Sequence, residues 1–282
     1  MVNVLVLKEH GTNCEFESKH AFELAGARLG MVIATPDIDE DPKNILSVDI
    51  VHMNDLIKNP KKIFDYQILM FPGGFSHGDD TGSGYAWANR IRNKMWDEVR
   101  KYVEGDHLTL GVCNGFQALV NLGLLPNLNG KYTRSAALLH NDFPRYLCRW
   151  VDLQFSGKSP WTEGIDKISL PIAHGEGKFY AAPETLAEIK ERNLVAARYV
   201  QGEVCTSQNL PANPNGALDD IAGITDPSGR ILGMMPHPER AVDFTHRPDW
   251  TLLKELYKRT GREMPSEGPG LQLFINALNY FK

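Results

Sequence analysis

The period of the hydrophobic pattern changes along this chain, and each change marks an element. Val2 to Leu7 is an apolar run rich in β-branched residues, suited to a parallel strand buried on both faces. From Glu15 to Gly26 the residues Phe16, His20, Phe22, Leu24 and Ala25 recur with helical spacing, and Gly26 is the expected C-cap. Leu29 to Ala34 reads as a second strand and Val48 to His52 as a third, followed by a short helix from Asn54 that Pro60 ends. Tyr66 to Phe71 is apolar and stops sharply at Pro72-Gly73-Gly74. Arg90 to Glu104 returns to the helical period, Leu108 to Val112 is a buried strand running into Cys113, and Asn114 to Leu122 is a helix. This cadence predicts an α/β fold, an open and mostly parallel sheet with helices on both faces. Ligands in such sheets bind beyond the carboxyl ends of the strands, where the loops after Phe71 and Val112 lie.

The second half is less regular. Trp150 to Phe155, Ile168 to His174, Val195 to Tyr199 and Ile221 to Thr225 read as strands. A turn at Asp226-Pro227-Ser228-Gly229 leads to a further strand, Ile231 to Met235. Leu252 to Tyr257 and Leu271 to Phe281 read as closing helices, and Asn209 to Gly216 as a loop. With no internal repeat, one continuous domain over 1–282 is expected.

Composition narrows the class. At 42% hydrophobic and 23% charged the chain has the make-up of a soluble globular protein, and its net charge of -5 argues against a nucleic-acid surface. No stretch approaches the roughly 20 apolar residues that a membrane helix needs. The start, MVNVLVLKEHG, lacks a basic segment and a long apolar stretch, so a cytoplasmic protein is expected. Cys14, Cys113, Cys148 and Cys205 form no CxxC pair, and reduced thiols suit that compartment better than disulfides.

One of the four cysteines stands apart. Gly111-Val112-Cys113-Asn114-Gly115 has the G-x-nucleophile-x-G form, in which flanking glycines let strand and helix close around a strained turn. The turn projects the thiol at a helix amino terminus, whose dipole favours the thiolate. On this pentapeptide alone, a buried structural cysteine fits as well as a nucleophile. A cysteine nucleophile needs a base, and the base an orienting group. His237 lies in Met235-Pro236-His237-Pro238-Glu239-Arg240, where two prolines favour an extended backbone that sends His237 and Glu239 to the same side. The third stretch, Pro72-Gly73-Gly74-Phe75-Ser76-His77-Gly78-Asp79, could present backbone N–H groups to a developing oxyanion. Asp79 and Asp80 lack further ligands at sensible spacing, so no metal is expected there.

In this order the three stretches resemble the class I (triad) glutamine amidotransferase family. The likeness is closest to its members that serve as the glutaminase of phosphoribosylformylglycinamidine synthase, in purine biosynthesis. The family motifs PGGFSxGD, GxCNGxQ, HGEG and GxMPHPER are met by Pro72–Asp79, Gly111–Gln117, His174–Gly177 and Gly233–Arg240. The likeness runs over nearly the whole chain, and GVCNGFQ and MMPHPERA are its most specific parts. It implies a flavodoxin-like fold and a thioester mechanism with Cys113 as nucleophile, His237 as proton carrier and Glu239 as its orienting carboxylate. It puts oxyanion donors near Gly74 or Phe75 and at Asn114, and Gln117 against bound glutamine. His174 and Glu176 would meet substrate or line a partner interface. The resemblance also implies a separate synthetase subunit that uses ATP and Mg²⁺, with no cofactor in this chain, and it admits a small accessory subunit. Two stretches depart from the family pattern. Asn141-Asp142-Phe143-Pro144-Arg145 replaces a serine followed by an RFE-like run, and Asp80-Thr81-Gly82-Ser83-Gly84 replaces a Leu-Arg pair. Another triad amidotransferase, a γ-glutamyl hydrolase, and a non-catalytic cysteine-elbow sensor or chaperone remain alternatives.

Overall fold

The computed structural model describes residues 1–34, 44–157 and 159–282. The first half runs β1 (Val2–Lys8), α1 (Glu15–Arg28), β2 (Val32–Ile33), β3 (Ile45–His52), α2 (Met53–Lys58), β4 (Ile68–Phe71), α3 (Tyr85–Lys94), α4 (Trp96–Glu104), β5 (Leu108–Val112) and α5 (Asn114–Leu122). The second continues with β6 (Ala136–His140), β7 (Leu147–Phe155), β8 (Lys167–His174), β9 (Glu176–Ala181), α6 (Pro183–Glu191) and β10 (Val195–Val200). It ends with α7 (Glu203–Ser207), β11 (Ile221–Thr225), β12 (Ile231–Met234), α8 (Trp250–Thr260) and α9 (Leu271–Tyr280).

Ten strands form one sheet in the order β2-β3-β1-β4-β5-β12-β11-β10-β7-β8. From β2 to β12 every pairing is parallel; from β12 to β8 every pairing is antiparallel. Along β1, Val4 and Val6 face one side and Leu5 and Leu7 the other, and all four are at most 2% exposed. Both faces of the parallel half are therefore covered, as the unbroken apolar run requires. On one side α1 packs on β1 and β3 and against α9, sealed by an edge-to-face contact of Phe22 and Phe274 at 4.9 Å.

Two registers position the site. Phe71 pairs with Gly111 across β4 and β5, and Met234 pairs with Val112 across β12 and β5. The glycine loop, Cys113 and the segment leading to His237 therefore leave the sheet side by side, at the carboxyl ends of three parallel strands.

The structure corrects several boundaries. α1 runs past Gly26 to Arg28, and its left-handed cap is Gly30, at φ 69°. Gly30 N–H donates to Ala27 O and Met31 N–H to Gly26 O, the paired bonds of a Schellman motif. Gly26 is instead a close-packing position, since a Cβ there would lie 2.4 Å from Leu46 Cδ2. The second strand shrinks to two residues for the same reason. The helical stretch before β5 divides at Met95, whose φ of -155° and ψ of 26° break the helix between α3 and α4. A separate antiparallel pair, β6 with β9, was not anticipated. Its strands are short and half exposed, so no sustained alternation betrays them.

Gly30 has open space around its missing Cβ, so Gly30→Ala tests backbone conformation alone. The left-handed position should cost about 1–2 kcal/mol, read as a lower urea midpoint. An unchanged midpoint would contradict the cap.

Candidate active site

Cys113 occupies the tight turn between β5 and α5 with φ 51° and ψ -107°, a conformation that non-glycine residues avoid. Strain of this kind costs on the order of 1–3 kcal/mol and persists only when its surroundings enforce it. Here Cys113 N–H donates to Met234 O at 2.8 Å, and Cys113 O accepts from Gln117 N–H at 3.0 Å. The flanking glycines leave no room for side chains. A Cβ on Gly115 would lie 1.9 Å from Phe71 O, and one on Gly111 2.5 Å from Leu119 Cδ1. The thiol itself is buried and donates to Ala173 O, at the end of β8, at 3.6 Å.

His237 is held by its N–H donating to Pro171 O at 2.8 Å, and its side chain is 2% exposed. Its Nδ1 lies 2.6 Å from Glu239 Oε1, so the carboxylate accepts from Nδ1–H and Nε2 is left to accept. Nε2 is buried and has no hydrogen-bond partner among the described residues. Burial opposes a charged imidazolium, but the carboxylate of Glu239 and the neighbouring Cys113 sulfur outweigh it, and the His237 pKa is raised well above its ordinary value. The backbone differs from expectation here. His237 is extended, but Pro238–Arg240 forms a 3₁₀ turn, because proline's fixed φ suits the first position of a helix. Glu239 thus reaches the imidazole around a turn and not along a strand.

The glycine loop binds back to the segment after β1. Phe75 N–H donates to Gly11 O at 2.8 Å, which removes Phe75 from the candidate oxyanion donors. Gly74, at φ 145°, faces Thr12 in the non-bonded position of that bridge. The N–H groups of Gly74 and Asn114 have no acceptor among the described residues.

Cys113 opens into a cavity of about 230 Å³ that Gly74, Gln117, Tyr146, His174 and Glu176 also line. Gln117 is less free than its position suggested. Its Oε1 accepts from Asn114 Nδ2 at 2.9 Å, and its Nε2 donates to Glu176 O. Asn114 Nδ2 also donates to Asp79 Oδ1 at 3.1 Å, and Asn114 Oδ1 accepts from Ser76 N–H at 3.0 Å. Burial lifts the Asp79 pKa, opposed by hydrogen bonds from Gly84 and Asn114. Glu176 Oε2 accepts from Ser83 N–H at 3.3 Å and leaves its carboxylate on the cavity wall.

His174 lies beneath the same wall, 2% exposed, with its pKa lowered to about 3 by burial and by His237. It is therefore a neutral ring, with Nδ1 3.0 Å from Asn141 Oδ1. Asn141 Oδ1 also accepts from Gly177 N–H at 3.1 Å, so the segment that departs from the family pattern organises the HGEG turn. Three neighbours escaped the sequence reading. Tyr146 lies over the cavity with its ring centroid 5.8 Å from that of Phe75. Asn141 belongs to the stretch that departs from the family pattern. Cys14 is buried behind His237, its Sγ 3.9 Å from Nδ1. No pattern in the chain singles Cys14 out.

Comparison with known proteins decides the family. The CobB/CobQ-like glutamine amidotransferase domain matches residues 1–281. A Methanococcus maripaludis protein named phosphoribosylformylglycinamidine synthase subunit PurQ is 45% identical over 282 residues, covering 99% of this chain and 97% of its own. One of the same name from Dehalococcoides mccartyi is 38% identical over 281 residues, covering 99% and 97%. The chain belongs to the glutamine amidotransferases. Among solved structures, PurLQS from Thermotoga maritima matches with a TM-score of 0.68 and 29% identity over 100% of this chain and 99% of that one. A second Thermotoga maritima glutamine amidotransferase, 13% identical, shares the fold at a TM-score of 0.51 over 99% of this chain and 93% of that one. Among the described residues, no helix is long and apolar enough to cross a membrane.

The charge balance at His237 can be tested in this amidotransferase. Its folded pKa is raised above an unfolded value of 6.5, so the stabilisation is complete below that pH and is lost as pH rises through the folded value. Glu239→Gln should lower the His237 pKa in an NMR titration and destabilise the protein near neutral pH. The gap to wild type should close at alkaline pH. A titration that Glu239→Gln leaves unmoved would contradict this balance.

Proposed function

We propose that this chain is the glutaminase subunit of phosphoribosylformylglycinamidine synthase, supplying ammonia to a synthetase subunit. The observation that carries the chemistry is the buried His237–Glu239 bond at 2.6 Å, beside a strained Cys113. The full-length relatives named PurQ carry the choice of pathway, and the PurLQS neighbour carries the choice of partner.

Cys113 Sγ attacks the side-chain carboxamide carbon of glutamine as His237 Nε2 takes the thiol proton. The oxyanion is met by Gly74 N–H and Asn114 N–H, both without acceptors of their own. The tetrahedral intermediate collapses, the C–N bond breaks, and His237 returns the proton to the departing nitrogen as ammonia. Water then attacks the γ-glutamyl thioester as His237 takes its proton, the C–S bond breaks, glutamate leaves, and His237 returns the proton to Cys113 Sγ. Glu239 keeps the proton on Nδ1 and stabilises the transient imidazolium. Glu176 and Asp79 make the cavity wall acidic, which suits the substrate's α-ammonium group. His174, held neutral by burial, contributes shape and a hydrogen-bond acceptor there. Gln117 braces the turn through Asn114 and the Glu176 backbone.

The ammonia is consumed by the synthetase, which converts formylglycinamide ribonucleotide to its amidine with ATP and Mg²⁺. This chain carries no P-loop, consistent with that division of labour. The proposal includes a cytoplasmic location, a single amidotransferase domain, and room for a small accessory subunit in the assembly.

Cys113→Ala should lower glutaminase activity by on the order of 10⁴-fold or more, measured as glutamate release with purified synthetase present. Retention of full glutamine-dependent activity would end the proposal. A glutamine-analogue electrophile should label Cys113 ahead of Cys148, although Cys148 is the exposed thiol, and mass spectrometry reads the ratio. Equal labelling would contradict a specially placed nucleophile.

A further inference from the structure

Cys14, His237 and Glu239 place three metal-ligating atoms within 4.8 Å of one another, all buried. The proposed reaction uses His237 and Glu239 but not Cys14. Two further observations bear on this cluster. Glu239 Oε2 is buried and, among the described residues, has no hydrogen-bond partner. A second cavity, of about 450 Å³, is lined by Phe16, His20, Glu239, Arg240 and His246 and so lies next to the cluster.

We propose that Cys14, His237 Nδ1 and Glu239 form an inhibitory Zn²⁺ site, entered through this rear cavity and separate from the cavity at Cys113. The donor set of one thiolate, one imidazole and one carboxylate suits zinc, with a water from the rear cavity as fourth ligand. Zinc bonds of about 2.3 Å to sulfur and 2.0 Å to nitrogen put those atoms about 3.5 Å apart in a tetrahedral site. Sγ and Nδ1 already lie 3.9 Å apart. Glu239 must move further, since Nδ1 and Oε1 lie 2.6 Å apart and share a proton that the metal displaces.

Charge and protons balance. Zn²⁺ binds as the Cys14 thiol releases one proton and the His237 ring proton moves from Nδ1 to Nε2, and the ion with one thiolate, one carboxylate and a neutral imidazole carries no net charge, as a buried site requires. Arg240 Nη2 stands 3.1 Å from Cys14 Sγ, and Glu17 Oε1, 3.7 Å from the guanidinium, gives it a partner when the metal takes the sulfur. With zinc on Nδ1 the remaining ring proton sits on Nε2, and His237 can no longer accept the Cys113 proton.

Inhibition rests on the proposed glutaminase reaction, whereas binding does not, so the decisive test reads binding in the inactive Cys113→Ala protein. Co²⁺ titrated into that variant should bind one per chain, with a thiolate-to-metal charge-transfer band that Zn²⁺ abolishes by competition. Adding Cys14→Ala should remove the band, and Glu239→Gln should weaken binding by at least about tenfold. With Cys113 intact, Zn²⁺ should inhibit glutamate release reversibly by EDTA. Cys14→Ala, normalised to its own uninhibited rate, should raise the half-inhibiting concentration at least about tenfold. Absence of 1:1 binding, or a band or inhibition indifferent to Cys14→Ala, would overturn the proposal.

Discussion

The bond between His237 Nδ1 and Glu239 Oε1 is the contact on which the site's geometry depends. It is fully buried at 2.6 Å, and it fixes which ring nitrogen carries the proton and hence which can take one. Burial alone would leave His237 a poor base, since desolvation disfavours the imidazolium that any proton transfer creates. The carboxylate reverses that balance. Its position in turn depends on Pro238, which starts the tight turn after an extended His237.

Everything else holds a reaction partner against that ring. β12 brings His237 to the mouth of the sheet through the pairing of Met234 with Val112, and the same pairing places Cys113 beside it. Cys113 is kept in a left-handed turn by bonds on both sides of its peptide and by two glycines that admit no Cβ. β8 closes the third side, with Pro171 O anchoring the His237 backbone and Ala173 O receiving the thiol. The parallel half thus supplies the proposed nucleophile, and the antiparallel extension supplies the wall on which its proposed base is aligned.

Much of this was legible in the chain. β5, α5 and β11 have the bounds that their apolar runs predict, because each is buried almost throughout and sharply terminated. The cysteine elbow and the His-x-Glu pair were visible as local patterns. What was not legible depends on contacts between distant segments. Phe75 is a donor by sequence, yet Gly11 O already occupies its N–H. Gln117 looks free for substrate, but its amide is held by Asn114 and Glu176. Cys14 carries no motif and meets His237 only because Gly73, lacking a Cβ, lets thiol and ring approach; a Cβ there would lie 2.7 Å from His237 Cε1 and 3.2 Å from Cys14 Sγ. The cap of α1 slipped from Gly26 to Gly30 because both glycines follow apolar helix residues, and only packing against Leu46 tells them apart.

The central claim is that Cys113 carries the γ-glutamyl group between ammonia release and hydrolysis. Acid quenching of the protein during turnover with glutamine and the synthetase, followed by peptide mass spectrometry, tests it directly. The account predicts a peptide containing Cys113 that is heavier by glutamine less ammonia, labile to hydroxylamine and absent from Glu239→Gln or His237→Ala protein. An unmodified Cys113 peptide under conditions of steady glutamate release, or the adduct on another residue, would contradict it.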